Sequence, residues 1–228
     1  MVHPGSFQSY NDACVSHTET RTRVEPGFLG SFKTTIGGDV NEIVEVIHHS
    51  DYDARDDTLE IMRTDPGYRA FTEQTHKMLQ TQTSEMFLPA TKVLQVAGGE
   101  PDAETRWRRM FSDDKNKKPG AFELRTYQLE LGYNPIPKLV DLMAAGLPSK
   151  LKSDTERKGT LVGMFFSDVG RLNQFIEIWR YDTNADHIRV RESARTANKW
   201  RSTIGEIAPM VQMFDTKLTV PTAFSPVQ

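Results

Sequence analysis

The chain has 228 residues, a length that suits one large or two small domains. Hydrophobic residues make up 37% of it and charged residues 26%, which excludes a disordered chain, and a net charge of −3 argues against a broad basic surface for nucleic acid. The single cysteine excludes an internal disulfide and any CxxC motif, and no apolar run approaches the roughly 20 residues needed to cross a bilayer. The first residues show no clear secretory or import leader.

The first half of the chain predicts alternating helices and strands but no opening strand. Val2–Gly5 matches only the end of the strand that opens the second half, so we expect either a truncated copy or a slot that another segment fills. Ser50 and Asp53 have the spacing of a capping box. The predicted elements are a helix at about 7–18, strands at 28–35 and 42–49, helices within 51–77 and a strand at 79–88.

A segment rich in glycine, proline and charge separates the two halves. It predicts a short helix that presents Trp107, Met110 and Phe111 within a basic stretch diluted by acidic residues. We interpret it as a solvated linker with one apolar anchor, and the alternative is a segment that docks a partner or an anionic lipid.

The second half predicts a complete β-α-β-β-α-β unit, the order of a ferredoxin-like fold. A β-prone strand opens it, and the helix after that strand is expected to end near Gly146–Pro148. Thr183 and Asp186 form a capping box before the second helical stretch. The predicted ranges are strands at 122–131, 161–167, 173–181 and 211–220, with helices at 135–151 and 183–209.

The two halves align with each other over some sixty positions, at an offset of 133 residues before Gly38 and 132 after it. We interpret the alignment as a genuine duplication, because the identities are ordered in one register over the whole span. It divides the chain into an N-terminal unit at 1–95, a linker at 96–120 and a C-terminal unit at 121–228. The identities are Gly30/Gly163, Phe32/Phe165, Gly37/Gly170, Asn41/Asn173, Glu45/Glu177, Glu60/Glu192, Arg63/Arg195, Thr64/Thr196, Arg69/Arg201, Met78/Met210, Gln80/Gln212 and Pro89/Pro221.

Motifs for nucleotide, metal or nucleophilic chemistry are missing from the sequence. His48 and His49 are adjacent on a predicted strand, so their rings point to opposite faces and cannot chelate one ion from it. A calcium loop counted from Asp51 fails because its twelfth position is Met62 instead of glutamate. We therefore expect no metal site and no cofactor, and Cys14 is expected to be a small core residue.

One position is repeated in a way that suggests a site: Glu45 and Glu177 occupy the same place in the two predicted middle strands, among large apolar residues. A buried carboxylate is costly unless it is paired. Either these residues form a shallow pocket between sheets with an acid, base or polar anchor, or each glutamate pairs with an arginine or reaches water. The candidate pocket or interaction residues are Glu45, Glu177, Trp179, Tyr181, Arg180, Tyr127 and Arg125.

The second half resembles the NIPSNAP family. The resemblance lies in FELRTYQLELG from Phe122, LVGMFFSDVGRLNQFIEIWRYD from Leu161, the Arg-rich helix with Trp200, and the closing LTVPTAFSPVQ. The first half looks like the more divergent copy found in two-domain members. It departs from the motif in having Ile47-His48-His49 where the family has Trp-Arg-Tyr.

The resemblance implies an α+β fold of two tandem ferredoxin-like units that form an intrachain dimeric α/β-barrel with facing sheets, the first strand of the N-terminal unit missing. It implies a mitochondrial protein, otherwise a cytoplasmic one, whose partners are autophagy or vesicle-traffic proteins. It implies no catalytic residues.

Three functions are therefore compared. The first is a non-enzymatic mitochondrial protein that acts through protein–protein interaction. The second is a small-molecule-binding or monooxygenase-like enzyme, by analogy of fold alone. The third is a structural homo-oligomer whose exposed sheet edge is completed by another chain.

Overall fold

A computed structural model of the protein describes residues 1–98, 102–112 and 120–227, without the side chains of 109–112. The expected anchor residues Met110 and Phe111 therefore have side chains outside the described part, whereas Trp107 is buried. The chain forms two compact units, the first of residues 1–83 with 220–228 and the second of residues 84–219. The boundaries expected from the repeat stay a prediction. No helix among the described residues is long and apolar enough to cross a bilayer.

The first unit contains a two-stranded antiparallel hairpin and four α-helices. Its core is formed by apolar side chains from the helices, the first strand and the C-terminal tail, among them Tyr10, Cys14, Phe71 and Phe224. The elements in chain order are α1 (Phe7–Ser16), α2 (Thr18–Val24), β1 (Phe28–Ile36), β2 (Ile43–Ile47), α3 (Tyr52–Thr64) and α4 (Pro66–Thr75).

The second unit contains an antiparallel sheet with the strand order β7-β4-β6-β5-β3, in which the four strands of the β-α-β-β-α-β unit have the ferredoxin-like arrangement. The last two residues of β7 are counted with the first unit. The elements are β3 (Met86–Pro89), α5 (Thr91–Val96), α6 (Ala103–Ser112), β4 (Ala121–Leu129), α7 (Pro135–Ser153), β5 (Gly159–Val169), β6 (Gln174–Tyr181), α8 (Asn184–Thr196), α9 (Asn198–Ile207) and β7 (Val211–Pro221).

The duplication is confirmed element by element. Helices α3 and α4 of the first unit recur as α8 and α9 of the second, each with the same length and each 132 residues later. A short 3-10 turn follows both α4 and α9, and a side chain caps both α3 and α8 at equivalent positions. The two halves therefore share one local fold despite their low identity.

Residues at the start of the chain hold the place of the end of an opening strand. The amide of Val2 donates to the carbonyl oxygen of Asn41 at 2.9 Å, and the amide of His3 donates to that of Met78 at 2.9 Å. Val2 also forms an isolated antiparallel bridge with Leu79.

The second unit makes the same bonds at the end of β4. The amide of Leu129 donates to the carbonyl oxygen of Asn173, and that of Glu130 donates to Met210, both at 2.9 Å. Asn173 and Met210 are the repeat equivalents of the first unit's acceptors. Val2 is therefore the structural counterpart of Leu129, as the alignment of the sequence predicts.

Several details of the predicted elements differ from the structure. The cap of α3 is Asp51 instead of Ser50, because its carboxylate accepts a hydrogen bond from the amide of Ala54 at 2.7 Å. The helix predicted at 135–151 is observed as Pro135–Ser153, so Gly146 and Pro148 lie inside it and do not end it. The helix predicted at about 7–18 is α1, which ends at Ser16, and the following helix α2 was not predicted.

The continuation of α7 follows from its packing. A proline costs the helix one backbone hydrogen bond, which packing against α9 and α5 offsets. Gly146 allows that packing, since a Cβ atom there would lie 2.7 Å from the Cβ of Thr203 on α9.

The strand predicted at 79–88 is also shorter than expected. Only Met86–Pro89 forms a strand, paired with β5. Residues 80–85 have no regular structure, and they correspond to the part of β7 that pairs with β4 in the second half. The first half has no such partner strand among the described residues, so this segment has no ladder to join.

Candidate functional site

Glu177 lies at the centre of a polar cluster on one face of the second unit's sheet. It is directly opposite Arg125 in the antiparallel pairing of β4 with β6. Because alternate residues of a strand share a face, the polar groups on this face are two carboxylates, one guanidinium and the O–H or N–H groups of three aromatic side chains. They are Glu123, Arg125 and Tyr127 on β4 and Glu177, Trp179 and Tyr181 on β6, here called the Glu177 cluster together with Lys150, His187 and Thr216.

The carboxylate of Glu177 is completely buried and accepts hydrogen bonds at both oxygens. The hydroxyl of Tyr127 donates to Oε1 and the indole N–H of Trp179 donates to Oε2, both at 2.6 Å. Burial, together with the nearby negative charge of Glu177, raises the pKa of Tyr127 well above its ordinary value. Tyr127 therefore stays neutral and serves as a donor.

Lys150 supplies a positive charge from helix α7. Its Nζ lies 3.7 Å from Oε2 of Glu177 and 3.6 and 4.9 Å from the ring centroids of Trp179 and Trp200. Within the described residues this ammonium makes no hydrogen bond, so the rings and the carboxylate together replace its hydration. Burial lowers the pKa of Lys150 to about 8, although the charge of Glu177 opposes the change.

Glu123 is the second buried carboxylate of the Glu177 cluster. It accepts hydrogen bonds from the hydroxyls of Tyr181 and Thr216, each at 3.0 Å. Nε2 of His187 lies 3.1 Å and Nε of Arg125 3.0 Å from its oxygens. Burial favours the neutral acid, but His187 and Arg125 outweigh burial and hold the pKa of Glu123 well below its ordinary value.

The first unit places Glu45 in an equivalent but simpler arrangement, the Glu45 cluster of Arg21, Glu25 and Glu45. Arg21 on α2 donates from both terminal nitrogens to Glu45, at 2.9 and 3.0 Å, and from Nε to Glu25 at 2.9 Å. The guanidinium carbon of Arg21 also lies 4.1 Å from the ring centroid of Phe28. Burial raises the pKa of Glu25, and Arg21 opposes that change.

The predicted site residues therefore separate into three groups. Arg125, Tyr127, Glu177, Trp179 and Tyr181 lie together in the Glu177 cluster. Glu45 lies in the other unit with an arginine partner, as one of the two interpretations predicted. Arg180 lies on the opposite face of β6, where its Nη1 is 3.0 Å from Asp182.

Several members of the two clusters were not among the predicted site residues. Lys150 could have been found, because it continues the buried stripe of α7 formed by Leu139, Met143 and Leu147 at helical spacing. Glu123 could also have been found, because it shares a strand face with Arg125. Arg21 and Glu25 have the i,i+4 spacing of a helical ion pair, but the contact of Arg21 with Glu45 and the place of His187 follow only from tertiary structure.

The Glu177 cluster is a closed charge network of two carboxylates, one guanidinium and one ammonium. Glu123 and Glu177 have no exposed surface, and each carboxylate oxygen already has a donor. A general acid or base must reach the reacting atoms at hydrogen-bond distance. In this arrangement the two buried carboxylates connect strands of the sheet to helices α7 and α8.

Two small cavities lie away from the Glu177 cluster. One, of about 140 Å³, is in the first unit and is lined mainly by α1–α2 and the C-terminal tail, with Cys14, Arg21 and Phe224 among its residues. The other, of about 70 Å³, lies near Asp154 and Arg189.

Among the described residues no group of three or more His, Cys, Asp or Glu is placed to hold a metal ion. Cys14 belongs to the core of the first unit, as expected, and its burial raises the pKa of the thiol to about 12.

The NIPSNAP family model matches residues 2–92 and 122–226. Among curated proteins, the chain is 22% identical over 195 residues to a NipSnap homologue of Dictyostelium discoideum, covering 85% of this chain and 74% of that protein. It is 22% identical over 229 residues to NipSnap homologue 2 of Mus musculus, covering 100% of this chain and 73% of that protein.

Solved structures also resemble the whole chain. A candidate monooxygenase of Fusobacterium nucleatum gives a TM-score of 0.57 at 13% identity, covering 97% of this chain and 88% of that one. A candidate monooxygenase of Lactobacillus acidophilus gives 0.56 at 15% identity, covering 100% and 94%. At such identities the likeness concerns the fold alone, and it confirms the expected fold class of tandem ferredoxin-like units of the dimeric α/β-barrel kind.

Proposed function

Because the chain belongs to the NIPSNAP family, and because its repeated acidic residues are held in internal ion pairs, we propose that it acts by binding other proteins and not by catalysis. The family resemblance extends the proposal to the mitochondrion and to partners from vesicle traffic or autophagy. In this function the fold presents surfaces, and the buried charges keep those surfaces in place.

The observation that best supports the proposal is that the carboxylate of Glu177 is completely enclosed by the protein. Its two oxygens accept bonds from Tyr127 and Trp179, it has no exposed surface, and Lys150 balances its charge. A carboxylate used for acid–base chemistry needs a path to its substrate. Glu177 has the features of a structural ion pair instead.

A second candidate function is binding or oxidation of a small molecule. Two proteins of similar fold are described as candidate monooxygenases, and the first unit contains a cavity beside Cys14 and Arg21. That cavity is about 140 Å³, which is smaller than the roughly 300 Å³ at which ligand pockets usually begin. Its volume favours the protein-binding function over the second candidate.

The experiment compares the 228-residue protein with its Glu177→Gln variant and with Glu206→Gln, an exposed glutamate on α9 as a matched control. We expect Glu177→Gln to lower thermal stability, while the set of proteins crosslinked to the tagged chain in mitochondria stays the same at temperatures where the variant is folded. Native mass spectrometry of the purified protein is expected to show the polypeptide mass without a bound small molecule.

Two results would contradict the proposal. One is a bound small molecule that the wild-type protein converts and the folded Glu177→Gln variant does not. The other is a tagged chain that crosslinks to no protein above the level of an unrelated control in the same compartment.

A further inference from the structure

Strand β2 has one edge that no described strand occupies. Val44 and Val46 pair with Phe32 and Gly30 of β1, and β2 is the terminal strand in the strand order. In an antiparallel ladder, alternate residues direct their backbone groups to opposite edges. Ile43, Glu45 and Ile47 therefore direct three N–H and three C=O groups to the outer edge.

The second unit shows what belongs at this edge. Strand β6, the repeat equivalent of β2, pairs with β5 on one edge and with β4 on the other. Glu177, which corresponds to Glu45, pairs there with Arg125. The fold thus accommodates a strand at the place that is open beside β2.

The hydrogen bonds of Val2 and His3 define where such a strand would end. Val2 and His3 bond to Asn41 and Met78 as Leu129 and Glu130 do in the second unit. An added strand that ends beside these residues would run antiparallel to β2, from Ile47 towards Ile43. Its other flank would face the irregular segment 80–83, whose counterparts in β7 pair with β4.

The charge beside this edge indicates which residue types an added strand would need. Glu25 and Glu45 carry two negative charges against one positive charge on Arg21, and the side chain of Glu45 is 26% exposed. A basic residue opposite Glu45 would neutralise the negative charge that Arg21 leaves unbalanced. Arg125 occupies the equivalent position opposite Glu177. The positions two residues to either side face Ile43 and Ile47, which favour apolar or aromatic side chains.

We propose that the outer edge of β2 binds an extended segment of a partner protein, which adds as an antiparallel strand with an arginine or lysine opposite Glu45 and apolar residues around it. The inference rests on the proposed protein-binding function and names the chemistry of the partner. It also gives the exposed edge a use, since an unpaired strand edge is otherwise prone to aggregation.

The chain itself supplies the basis of the probe: the sequence of Ala121–Tyr127 with leucine in place of its glutamate, AFLLRTY, so that an apolar side chain faces Ile47, fluorescently labelled through a flexible linker. It stops before the positions equivalent to Met1 and Val2, which the chain already fills. Binding to the full 228-residue protein is measured by fluorescence anisotropy, and amide hydrogen exchange locates the peptide. The control is the same peptide with glutamate in place of its arginine.

We expect saturable binding of the arginine peptide. The affinity of the glutamate peptide should be lower by a factor of about ten or more, and a factor of ten corresponds to about 1.4 kcal/mol. The amides of Ile43, Glu45 and Ile47 are expected to exchange more slowly in the complex. Glu45→Gln should weaken binding of the arginine peptide, whereas Glu60→Gln, an exposed glutamate on α3, should not. If Glu45→Gln fails to fold, the two peptides on the wild-type protein still decide the question.

The inference is overturned if neither peptide binds, if both bind equally, or if protection appears away from β2. It is also overturned if the β2 amides become protected with rising protein concentration and no peptide, because the edge would then belong to a second copy. Failure of the peptide while mitochondrial partners are still crosslinked would remove this inference and leave the proposed function standing.

Discussion

The guanidinium of Arg21 holds both carboxylate oxygens of Glu45, at 2.9 and 3.0 Å, where the second repeat places Lys150 at 3.7 Å from Glu177. In both units a helix brings one cation to a glutamate at the same position of a strand, and aromatic rings surround the cation. The duplication has therefore kept the charge pair while changing the cation. A pair of this kind fixes the position of the helix over the sheet, because either charge alone would be costly to bury.

Replacing Arg21 with lysine tests the pair in the first unit. Lysine keeps the charge but cannot bond both Glu45 oxygens and Glu25 together, so we expect Arg21→Lys to lower the free energy of unfolding by about 2–4 kcal/mol. Urea denaturation gives the measurement. The control Arg23→Lys changes an exposed arginine that is paired with Asp65, and should stay within about 0.5 kcal/mol of wild type. Equal effects of both changes would contradict this assignment.

The pH dependence of stability tests the burial of Lys150. The folded protein lowers the pKa of Lys150 from 10.5 to about 8, so between these two values the unfolded chain binds more protons than the native one. The free energy of unfolding should therefore rise with pH over this window, by up to about 3 kcal/mol. Since other groups titrate there too, the quantity to follow is wild type minus Lys150→Met. A difference that is flat or falls from pH 8 to 10.5 would show that burial does not lower the pKa of Lys150.

The contact of α7 with α9 gives a matched pair of glycine substitutions. A Cβ atom at Gly146 would lie 2.7 Å from the Cβ of Thr203, so Gly146→Ala should lower the free energy of unfolding by about 1–3 kcal/mol. Gly205 on α9 has open space around its Cβ position, so Gly205→Ala should stabilise by up to about 1 kcal/mol. The double variant Gly146→Ala with Thr203→Gly should recover part of the loss. Stabilisation by Gly146→Ala would contradict the close packing of the two helices.

Much of the fold could be predicted because the signals are local and occur twice. Apolar alternation located β4, β5 and β6, and the capping box at Thr183 located the start of α8. The duplication then carried the same order into the first half. The predicted cap at Ser50 and the predicted length of the strand at 79–88 were wrong. The first depends on which of two adjacent side chains accepts the helix amide, and the second on a partner strand that the described part of the first half lacks.

The candidate site was only partly predictable. Strand alternation brings Arg125, Glu177 and Trp179 to one face, and that is a property of sequence. The positions of the cations Arg21 and Lys150 depend on how α2 and α7 pack on the strands. That packing cannot be deduced from residue spacing in the sequence. Arg180 lies on the other face of β6, as strand alternation predicts, and is therefore outside the Glu177 cluster.

The Glu177 cluster is a closed, structural interior. The most direct test of this claim is the hydrogen exchange rate of the Trp179 indole N–H, followed by NMR, because its nitrogen lies 2.6 Å from Oε2 of Glu177. We expect this proton to exchange only through global unfolding, with an apparent opening free energy equal to that from urea denaturation. Exchange through a local opening of much lower free energy would contradict it, since Glu177 would then be within reach of solvent and substrate.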